Sequence, residues 1–357
     1  MEILVNKKNS FIGATALAVL ACGFSLGQAV GQEDSGDSNK AAGKTAEKAT
    51  EKSASKSAQA KEVKDEELLV SLGINSNPRL IESSGVSVCS FVENSIWTHN
   101  DSGHSPHLFL LKTNGVLLAK VKLNNARNVD WESMCRFKLK GKSYLMVGDV
   151  GDNLARRRDC QLYLIQEPDL SSKLPEKPGK EPIETSVNPI RLDFTYPDGA
   201  RNCEAIAVDV VGKQIWLVEK IYLDKRGEDP PGMYVLPLAT KSFDKPIVAK
   251  RIADFPPCNV TGMDFSPDSR QLIIRNYLTA HLYSRVEDET WESVIKRTNP
   301  NVVVLPLQRQ GESVCFTDDS KSIIVTSELS RQPIYRVNLK SDLKKPRRIK
   351  KQRAGKK

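Results

Sequence analysis

Short runs in which apolar and polar residues alternate recur along most of the chain. Residues 311–328 form two such runs separated by an Asp-Asp-Ser turn, and residues 260–277 repeat the same frame 51 positions earlier. Weaker copies begin at Ser84, Asp130 and Asn202. Alternation that leads through a polar turn into a β-branched run is typical of a β-hairpin. The pattern therefore predicts one hairpin unit repeated five times.

A third apolar segment follows every hairpin, and a fourth follows four of them. The fourth segments are GVLLAKVKL, IRLDFTY, VAKRIADF and NVVVLPL, which begin at Gly115, Ile190, Val248 and Asn301. Units of several strands that repeat about every 40 to 50 residues are typical of a β-propeller. The sequence therefore predicts an all-β fold, a β-propeller of four-stranded blades.

The ends of the repeat predict how the ring closes. The last copy ends at Leu339 without a fourth strand, and the segment PRLIES, residues 78–83, precedes the first hairpin. We expect an N-terminal strand to complete the final blade, because this pairing removes an exposed sheet edge. Five blades are visible. A sixth would have to lie in residues 167–189, where five prolines favour an extended loop. A β-sandwich would explain the strands but not their repeated order.

The N-terminus has the pattern of a secretory signal peptide. Two lysines precede an apolar run at residues 11–26, and small residues follow it around Ala29. We interpret residues 1–31 as a signal peptide and expect export to the periplasm or the cell exterior. The apolar run is shorter than the ~20 residues of a spanning helix, so no transmembrane helix is expected after cleavage. Cys22, in VLAC, leaves a lipoprotein as the alternative.

Composition divides the remaining chain into three parts. Residues 32–67 are rich in Ala, Ser, Lys and Glu, which predicts a disordered low-complexity linker. The propeller domain then covers residues 68–343, and residues 344–357 form a basic tail. The chain has a formal net charge of +9, and the tail alone carries nine positive charges and no negative one. The rest is therefore nearly neutral, and specific nucleic-acid binding is not expected. The tail would bind an anionic envelope polymer or remain a solvated, disordered segment.

The cysteines predict packing rather than metal binding. Cys89, Cys135 and Cys315 occupy the same position of the repeat, which predicts small buried residues around the propeller axis. Cys160 and Cys203 both stand at strand starts, and an oxidising compartment would allow them to pair. The chain contains no Cys-x-x-Cys spacing, so structural zinc is not expected.

Polar residues recur where the predicted strands reach one end of the central channel. Glu132, Glu204 and Glu312 open three of the hairpins, and Thr261 opens a fourth. A ring of carboxylates with a few cations predicts a face that binds a small ligand, a protein or a divalent cation such as calcium. Hydrogen bonds to turns of neighbouring blades are the alternative role. Further candidates follow the second strands: Asn100, Asp101, Asp149, Glu219, Lys220, Arg275 and Glu328.

One segment, GDVGDNLARRR at residues 148–158, departs from the repeat. Its oxygen-bearing residues Asp149, Asp152 and Asn153 are candidate metal ligands, since closely spaced carboxylates beside glycines can wrap a cation. The arginines that follow are candidates for holding an anionic substrate: Arg156, Arg157 and Arg158. A tight, solvated turn with surface arginines is the alternative.

Other common catalytic signatures are missing or not diagnostic. Three histidines, His99, His104 and His107, fall in one Gly- and Pro-containing loop whose spacing does not define a metal site. No Gly-x-Ser-x-Gly elbow and no Gly-rich phosphate loop occurs in the sequence. Nucleophilic hydrolysis therefore has no support from motifs.

Several sequence motifs together resemble those of a known family. WTHNDSG at Trp97, DWES at Asp130, GDVGDN at Gly148, LYLIQEP at Leu162 and CEAIAVD at Cys203 resemble a group of secreted bacterial β-propeller proteins that are largely uncharacterised. FSPDS, residues 265–269, is similar to the hairpin turn of WD-like propellers. The carboxylate-rich face is more distantly similar to phytase-like and lactonase-type propellers, a likeness that implies calcium at the channel mouth.

Three functions follow as expectations. The first is an exported binding propeller with a carboxylate-rich ligand or metal face, more plausibly without catalysis than with it. The second is a divalent-metal-dependent hydrolase of a phosphate ester or lactone, in which Asp149, Asp152 and a channel Glu hold the metal. The third is a cell-envelope scaffold held by the basic tail.

Overall fold

The structure is a computed structural model that describes residues 68–176, 181–222, 231–255, 259–297 and 299–340. The segments that the sequence marks as signal peptide, linker and basic tail lie outside these residues. In chain order the strands are β1 (Leu69–Asn75), β2 (Ser83–Val88), β3 (Ser95–Asn100), β4 (His107–Lys112), β5 (Leu117–Leu123), β6 (Trp131–Leu139), β7 (Lys142–Asp149), β8 (Cys160–Gln166), β9 (Ile183–Val187), β10 (Ile190–Thr195), β11 (Cys203–Asp209), β12 (Gln214–Glu219), β13 (Gly232–Pro237), β14 (Ile247–Val248), β15 (Lys250–Asp254), β16 (Gly262–Phe265), β17 (Gln271–Arg275), β18 (Thr279–Ser284), β19 (Asn301–Val304), β20 (Gly311–Phe316), β21 (Ser322–Ser327) and β22 (Gln332–Asn338).

The strands form five sheets, and each sheet is one blade of a β-propeller. Blade 1 contains β2 to β5, blade 2 contains β6, β7, β8 and β10, blade 3 contains β11, β12, β13 and β15, blade 4 contains β16 to β19, and blade 5 contains β20 to β22 with β1. Two blades carry a fifth, parallel edge strand, since β9 pairs with β5 and β14 pairs with β10. The predicted all-β propeller is confirmed, with five blades.

The hydrophobic core is divided into layers between neighbouring blades, because each sheet buries both of its faces. Between blades 3 and 4, the Trp216 and Phe265 rings lie 5.9 Å apart, and Phe265 lies 5.2 Å from Trp291. Between blades 5 and 1, Ile324 packs in the same cluster as Ile96. Five buried clusters cover the five blade interfaces, so side-chain packing runs around the whole ring.

The structure corrects the prediction for the N-terminal strand. PRLIES does not form a closing strand, since only Ser83 of it belongs to a strand, and that strand is β2. The Asn77 side chain accepts a hydrogen bond from the Arg79 amide at 2.8 Å, which fixes a turn there. It is β1 that pairs with β22, in antiparallel register from Leu69 opposite Val337. Whether β1 is required to close the ring stays a prediction.

Two further local features differ from the sequence-based expectations. The proline-rich stretch contains β9, because its last residues alternate and cover the open edge of blade 1. A helix, α1 (Trp291–Arg297), follows blade 4's third strand, and the Thr290 hydroxyl caps it by accepting from the Ser293 amide at 3.2 Å. Among the described residues, no helix is long and apolar enough to cross a membrane.

The cysteines pack between blades and not around the axis. Cys135 lies in the core between blades 2 and 3, Cys89 in that between blades 1 and 2, and Cys315 in that between blades 5 and 1. The reason is that side chains of an inner strand point to the two faces of its sheet, and both faces are blade interfaces. Cys160 and Cys203 are free thiols in the structure. Burial raises the pKa of both to about 12, so they behave as small hydrophobic residues.

Candidate functional site

The candidate site lies at the mouth, which we define as the end of the propeller where β2, β6, β11, β16 and β20 begin. Four of these inner strands start with a β-bulge, at which one residue is skipped in the pairing with the next strand. The skipped residues are Ser84, Glu132, Glu204 and Glu312. Thr261 occupies the corresponding position in blade 4, 51 residues before Glu312. A bulge redirects the side chain of its extra residue, and here it releases three glutamates from the sheet ladder.

Six carboxyl groups gather at the mouth around two cations. The acidic cluster consists of Asp101, Asp130, Glu132, Glu204, Glu312 and Glu328, each electrostatically coupled to other members. Within it, one oxygen each of Asp101, Asp130 and Glu132 lie within 4.8 Å of one another, close enough to share one ion. We call these three residues the carboxylate trio. The buried cations are Lys220 and Arg275, and the charge of Arg157 also acts on Asp130. Carboxyl groups therefore outnumber cations at the mouth.

Burial and mutual repulsion raise the pKa of five acids of this cluster. Burial, followed by the charges of Asp130 and Glu204, raises the pKa of Asp101 to about 7. Burial and then Glu204 raise the pKa of Asp130 to about 6. Burial and then Glu312 raise the pKa of Glu328 to about 9. The pKa values of Glu132 and Glu312 also lie above their usual range, with burial as the largest cause. The mouth would gain free energy from any added positive charge.

Several oxygens of the acidic cluster lack hydrogen-bond donors. The Asp130 carboxylate accepts no hydrogen bond from any described side chain or amide. Glu132 shares a hydrogen bond with the Glu204 carboxyl group and accepts a long one, 3.5 Å, from the Ser84 hydroxyl. Oε2 of Glu312 is buried without a partner among the described residues. Buried polar atoms are normally satisfied, so these oxygens are available to a ligand.

Gly151 makes room for the carboxylate trio. A Cβ at this position would lie 2.4 Å from Oε1 of Glu132 and 2.6 Å from Oδ2 of Asp130. Any residue with a side chain would therefore displace both carboxylates. This contact gives a reason for the second glycine of GDVGDN.

Lys220 is held between acids and aromatic rings. Its ammonium lies 3.2 Å from the Glu204 carboxylate, and 5.6 and 5.4 Å from the ring centroids of Tyr222 and Tyr277. Burial opposes its charge, but Glu204 and Glu312 outweigh burial and raise the pKa of Lys220 well above its usual value. Lys220 is thus a fixed cation and not a nucleophile at neutral pH.

Arg275 is a buried cation that connects two blades. It donates to the Ser313 carbonyl oxygen at 2.9 Å, although it belongs to blade 4 and Ser313 to blade 5. Burial lowers the pKa of Arg275 to about 10, so the guanidinium stays charged at neutral pH. Its Nη2 has no partner among the described residues.

Residues of the GDVGDN loop form hydrogen bonds next to the carboxylate trio. Oδ1 of Asp149 accepts from Nη1 of Arg157 at 2.8 Å and from the Asp130 amide at 3.0 Å. Asp152 accepts from the Arg157 amide at 2.6 Å. Oδ1 of Asn153 accepts from the Tyr222 hydroxyl at 3.1 Å. These contacts fix the position of Asp130, while metal binding by the loop residues themselves stays a prediction.

The other predicted residues lie around the site with partners of their own. The Asn100 side chain bridges the Glu82 amide and the Arg79 carbonyl oxygen, at 3.1 and 2.7 Å. Glu219 accepts from the Gly232 amide at 3.0 Å and pairs with Arg201 at 3.4 Å. The remaining two arginines of the loop, Arg156 and Arg158, are exposed.

The histidines serve packing or pair with other groups. His99 is fully buried with its ring edge-on to Trp131 at 5.5 Å, and burial lowers its pKa to about 4, so it is neutral. His104 lies 3.1 Å from the Glu82 carboxylate. Neither belongs to the group of potential metal ligands found among the described residues.

Sequence reasoning missed Asp130 as a site residue. The sequence DWES contains it two positions before Glu132, which is one of the glutamates that share a position of the repeat. The structure shows why the two meet. The bulge at Glu132 and the anchoring of the Asp130 amide on Asp149 bring both carboxyl groups to Asp101.

Comparisons with known proteins identify no family for this chain. No family model matches the chain, and no curated protein matches it. Among solved structures, the chain is similar to the Neurospora crassa Pan2 WD40 domain, with 11% identity over 76% of this chain and 96% of that chain, and a TM-score of 0.37. It is also similar to a glucose dehydrogenase, with 10% identity over 76% of this chain and 99% of that chain, and a TM-score of 0.41. Likeness at this level concerns the propeller fold alone.

Proposed function

We propose that the chain is an exported, non-catalytic binding propeller whose mouth holds a divalent cation, with the carboxylate trio as ligands. The observation that carries this proposal is the excess of buried carboxyl groups over Lys220 and Arg275, combined with three carboxyl groups within 4.8 Å of one another. Hard carboxylate oxygens suit Ca²⁺ and Mg²⁺ better than zinc, and Ca²⁺ tolerates irregular geometry that Mg²⁺ does not. Calcium is therefore the expected ion.

Export and family are part of the same proposal. The pattern of residues 1–31 supports passage across a membrane, and an extracellular or periplasmic calcium supply suits a weak site. The sequence motifs HNDSG and GDVGDN support membership of the secreted bacterial propeller group. In this structure both motifs contribute residues to the mouth, through Asp101 and through the loop that anchors Asp130.

No contact favours the hydrolase over the binding propeller. Its anion-holding group would be the three arginines, of which Arg157 is engaged by Asp149 and the other two are exposed. The scaffold function depends on the basic tail, which lies outside the described residues.

Isothermal titration of the purified, chelator-stripped protein with calcium chloride tests the proposal. We expect one ion per chain, with a dissociation constant on the order of 10⁻⁴ M as in extracellular modules. Asp130→Asn should weaken binding by about tenfold or more, since it removes a charged ligand. Asp193→Asn is the matched control, because Asp193 pairs with Arg191 on an outer strand, away from the mouth. Equal affinity in both variants, or no heat at all, would contradict the proposal.

A further inference from the structure

Every blade presents at least one exposed, large apolar side chain beside the mouth. Six such residues lie on loops that precede the inner strands or follow the second strands. These loops are at the end of the propeller that carries the acidic cluster. We call the six residues the apolar crown: Ile81 before β2, Val129 before β6, Leu154 after β7, Tyr222 after β12, Leu278 after β17 and Leu307 before β20.

Tyr222 of the crown contacts Lys220 and Asn153, whereas the aliphatic members leave much of their side chains exposed. Leu307 is 84% exposed, Leu154 69% and Val129 51%. Single exposed apolar residues are normal on protein surfaces and need no explanation. A ring of them around a buried charged group is different, since contacts around a central interaction exclude water from it.

The opposite end of the propeller shows the contrast. It also exposes apolar residues, among them Phe91, Val211 and Val286. Its buried carboxylate Asp209, however, is paired, because it accepts from Arg285 at 3.1 Å. Glu312 at the mouth, in contrast, keeps one oxygen without a partner among the described residues.

The charge that a partner would meet is on blade 5. Oε2 of Glu312 has no hydrogen-bond partner among the described residues, although the residue is 3% exposed. Glu328 lies beside it, and its carboxylate accepts from the Gln310 side-chain amide. An N–H donor with a positive charge is the complement of this arrangement, and a lysine or arginine side chain supplies it on a flexible stem.

We propose that the mouth docks a protein partner through a segment that inserts a lysine or arginine side chain toward Glu312 and covers the apolar crown with its own apolar residues. This site is separate from the cation site, because Glu312 and the crown supply its contacts and the carboxylate trio does not. Apolar contacts at the rim would exclude water from the ion pair, which strengthens it.

A random dodecapeptide library displayed on phage and panned on the immobilised, calcium-loaded protein tests the proposal. Enriched peptides should contain a lysine or arginine next to apolar residues. A synthetic peptide of the enriched sequence should then bind less tightly by about tenfold or more to Glu312→Gln, which removes the charge without changing the shape. Peptides without a basic residue, or equal affinity for this variant, would overturn the proposal.

Two triple variants test whether peptide binding depends on the crown or on exposed apolar residues elsewhere. Leu154→Ser/Leu278→Ser/Leu307→Ser should weaken peptide binding, whereas Phe91→Ser/Val211→Ser/Val286→Ser, at the opposite end, should leave it unchanged. Equal loss in both variants would contradict docking at the mouth. Asp130→Asn keeps this proposal distinct from the cation proposal, because it should reduce calcium affinity while peptide binding persists.

Discussion

The ammonium of Lys220 lies 3.2 Å from the carboxylate of Glu204, and both side chains are almost completely buried. Lys220 directly follows the second strand of blade 3, and Glu204 is the bulged residue of its first strand. The pair thus lies at the mouth, where the polar residues of the repeat come together. It neutralises one carboxylate and leaves the carboxylate trio unpaired.

Removing this cation should destabilise the protein strongly. Lys220→Met would leave Glu204 buried without its partner, which costs about 3–5 kcal/mol for buried pairs. Urea unfolding at pH 8 measures the loss. The control is Lys296→Met, which breaks an exposed pair with Glu292 and should cost about 0.5 kcal/mol or less. Similar values for the two variants would show that the buried pair contributes no more than a surface pair.

A methyl group at position 151 should abolish the cation site. In Gly151→Ala the new Cβ would lie 2.4 Å from Oε1 of Glu132 and 2.6 Å from Oδ2 of Asp130 and displace both, so we expect calcium affinity to fall by about tenfold or more. Gly148→Ala in the same loop is the control, since its Cβ would meet only side-chain methyl groups of Ile206 and Val150 at 3.2 Å. Calcium titration of both variants measures the difference. Unchanged affinity in Gly151→Ala would mean that the ion binds elsewhere.

The calcium-free protein should lose stability as the pH rises. Glu328 has an ordinary pKa of 4.5 when exposed and about 9 in the fold, with burial and Glu312 as the causes. A raised pKa contributes stability that is complete below pH 4.5 and is lost as the pH rises through 9. Glu328→Gln removes this contribution, so the variant should be progressively more stable than the parent from pH 5 to pH 9. Urea unfolding at several pH values tests this, and a constant difference would contradict it.

Much of the fold could be predicted because its determinants are local. Alternation along each strand and the turns between strands repeat within a few residues, so the hairpins and fourth strands were visible. The pairing of β1 with β22 joins Leu69 to Val337 across almost the whole domain. No local pattern specifies such a partner, whereas PRLIES directly precedes the first hairpin and is therefore the segment that the repeat indicates.

The site could be predicted only in part, for a related reason. Glu132, Glu204 and Glu312 share one position of the repeat, so their common location followed from periodicity. Asp130 is outside the repeat, and its place depends on a hydrogen bond between its amide and Asp149. The sequence indicated Asp149 as a candidate metal ligand, but not that Arg157 and the amides of Val129 and Asp130 donate hydrogen bonds to it.

The role of β1 in closing the ring can be tested by deletion. Removing residues 68–75 would expose the edge of β22, so we expect the melting temperature to fall by about 5–10 °C, as a loss of roughly 2–3 kcal/mol implies for a domain of this size. Removing residues 32–67 is the control and should leave it unchanged. Equal melting temperatures for the two deletions would show that β1 is dispensable for closure.

A crystal structure grown with calcium chloride would test the central claim most directly. The account predicts one strong density peak about 2.3–2.6 Å from carboxylate oxygens of Asp101, Asp130 and Glu132, the distance range of Ca²⁺ ligands. A mouth without an ion at saturating calcium, or an ion bound only by Asp149, Asp152 and Asn153, would contradict the assignment of the carboxylate trio.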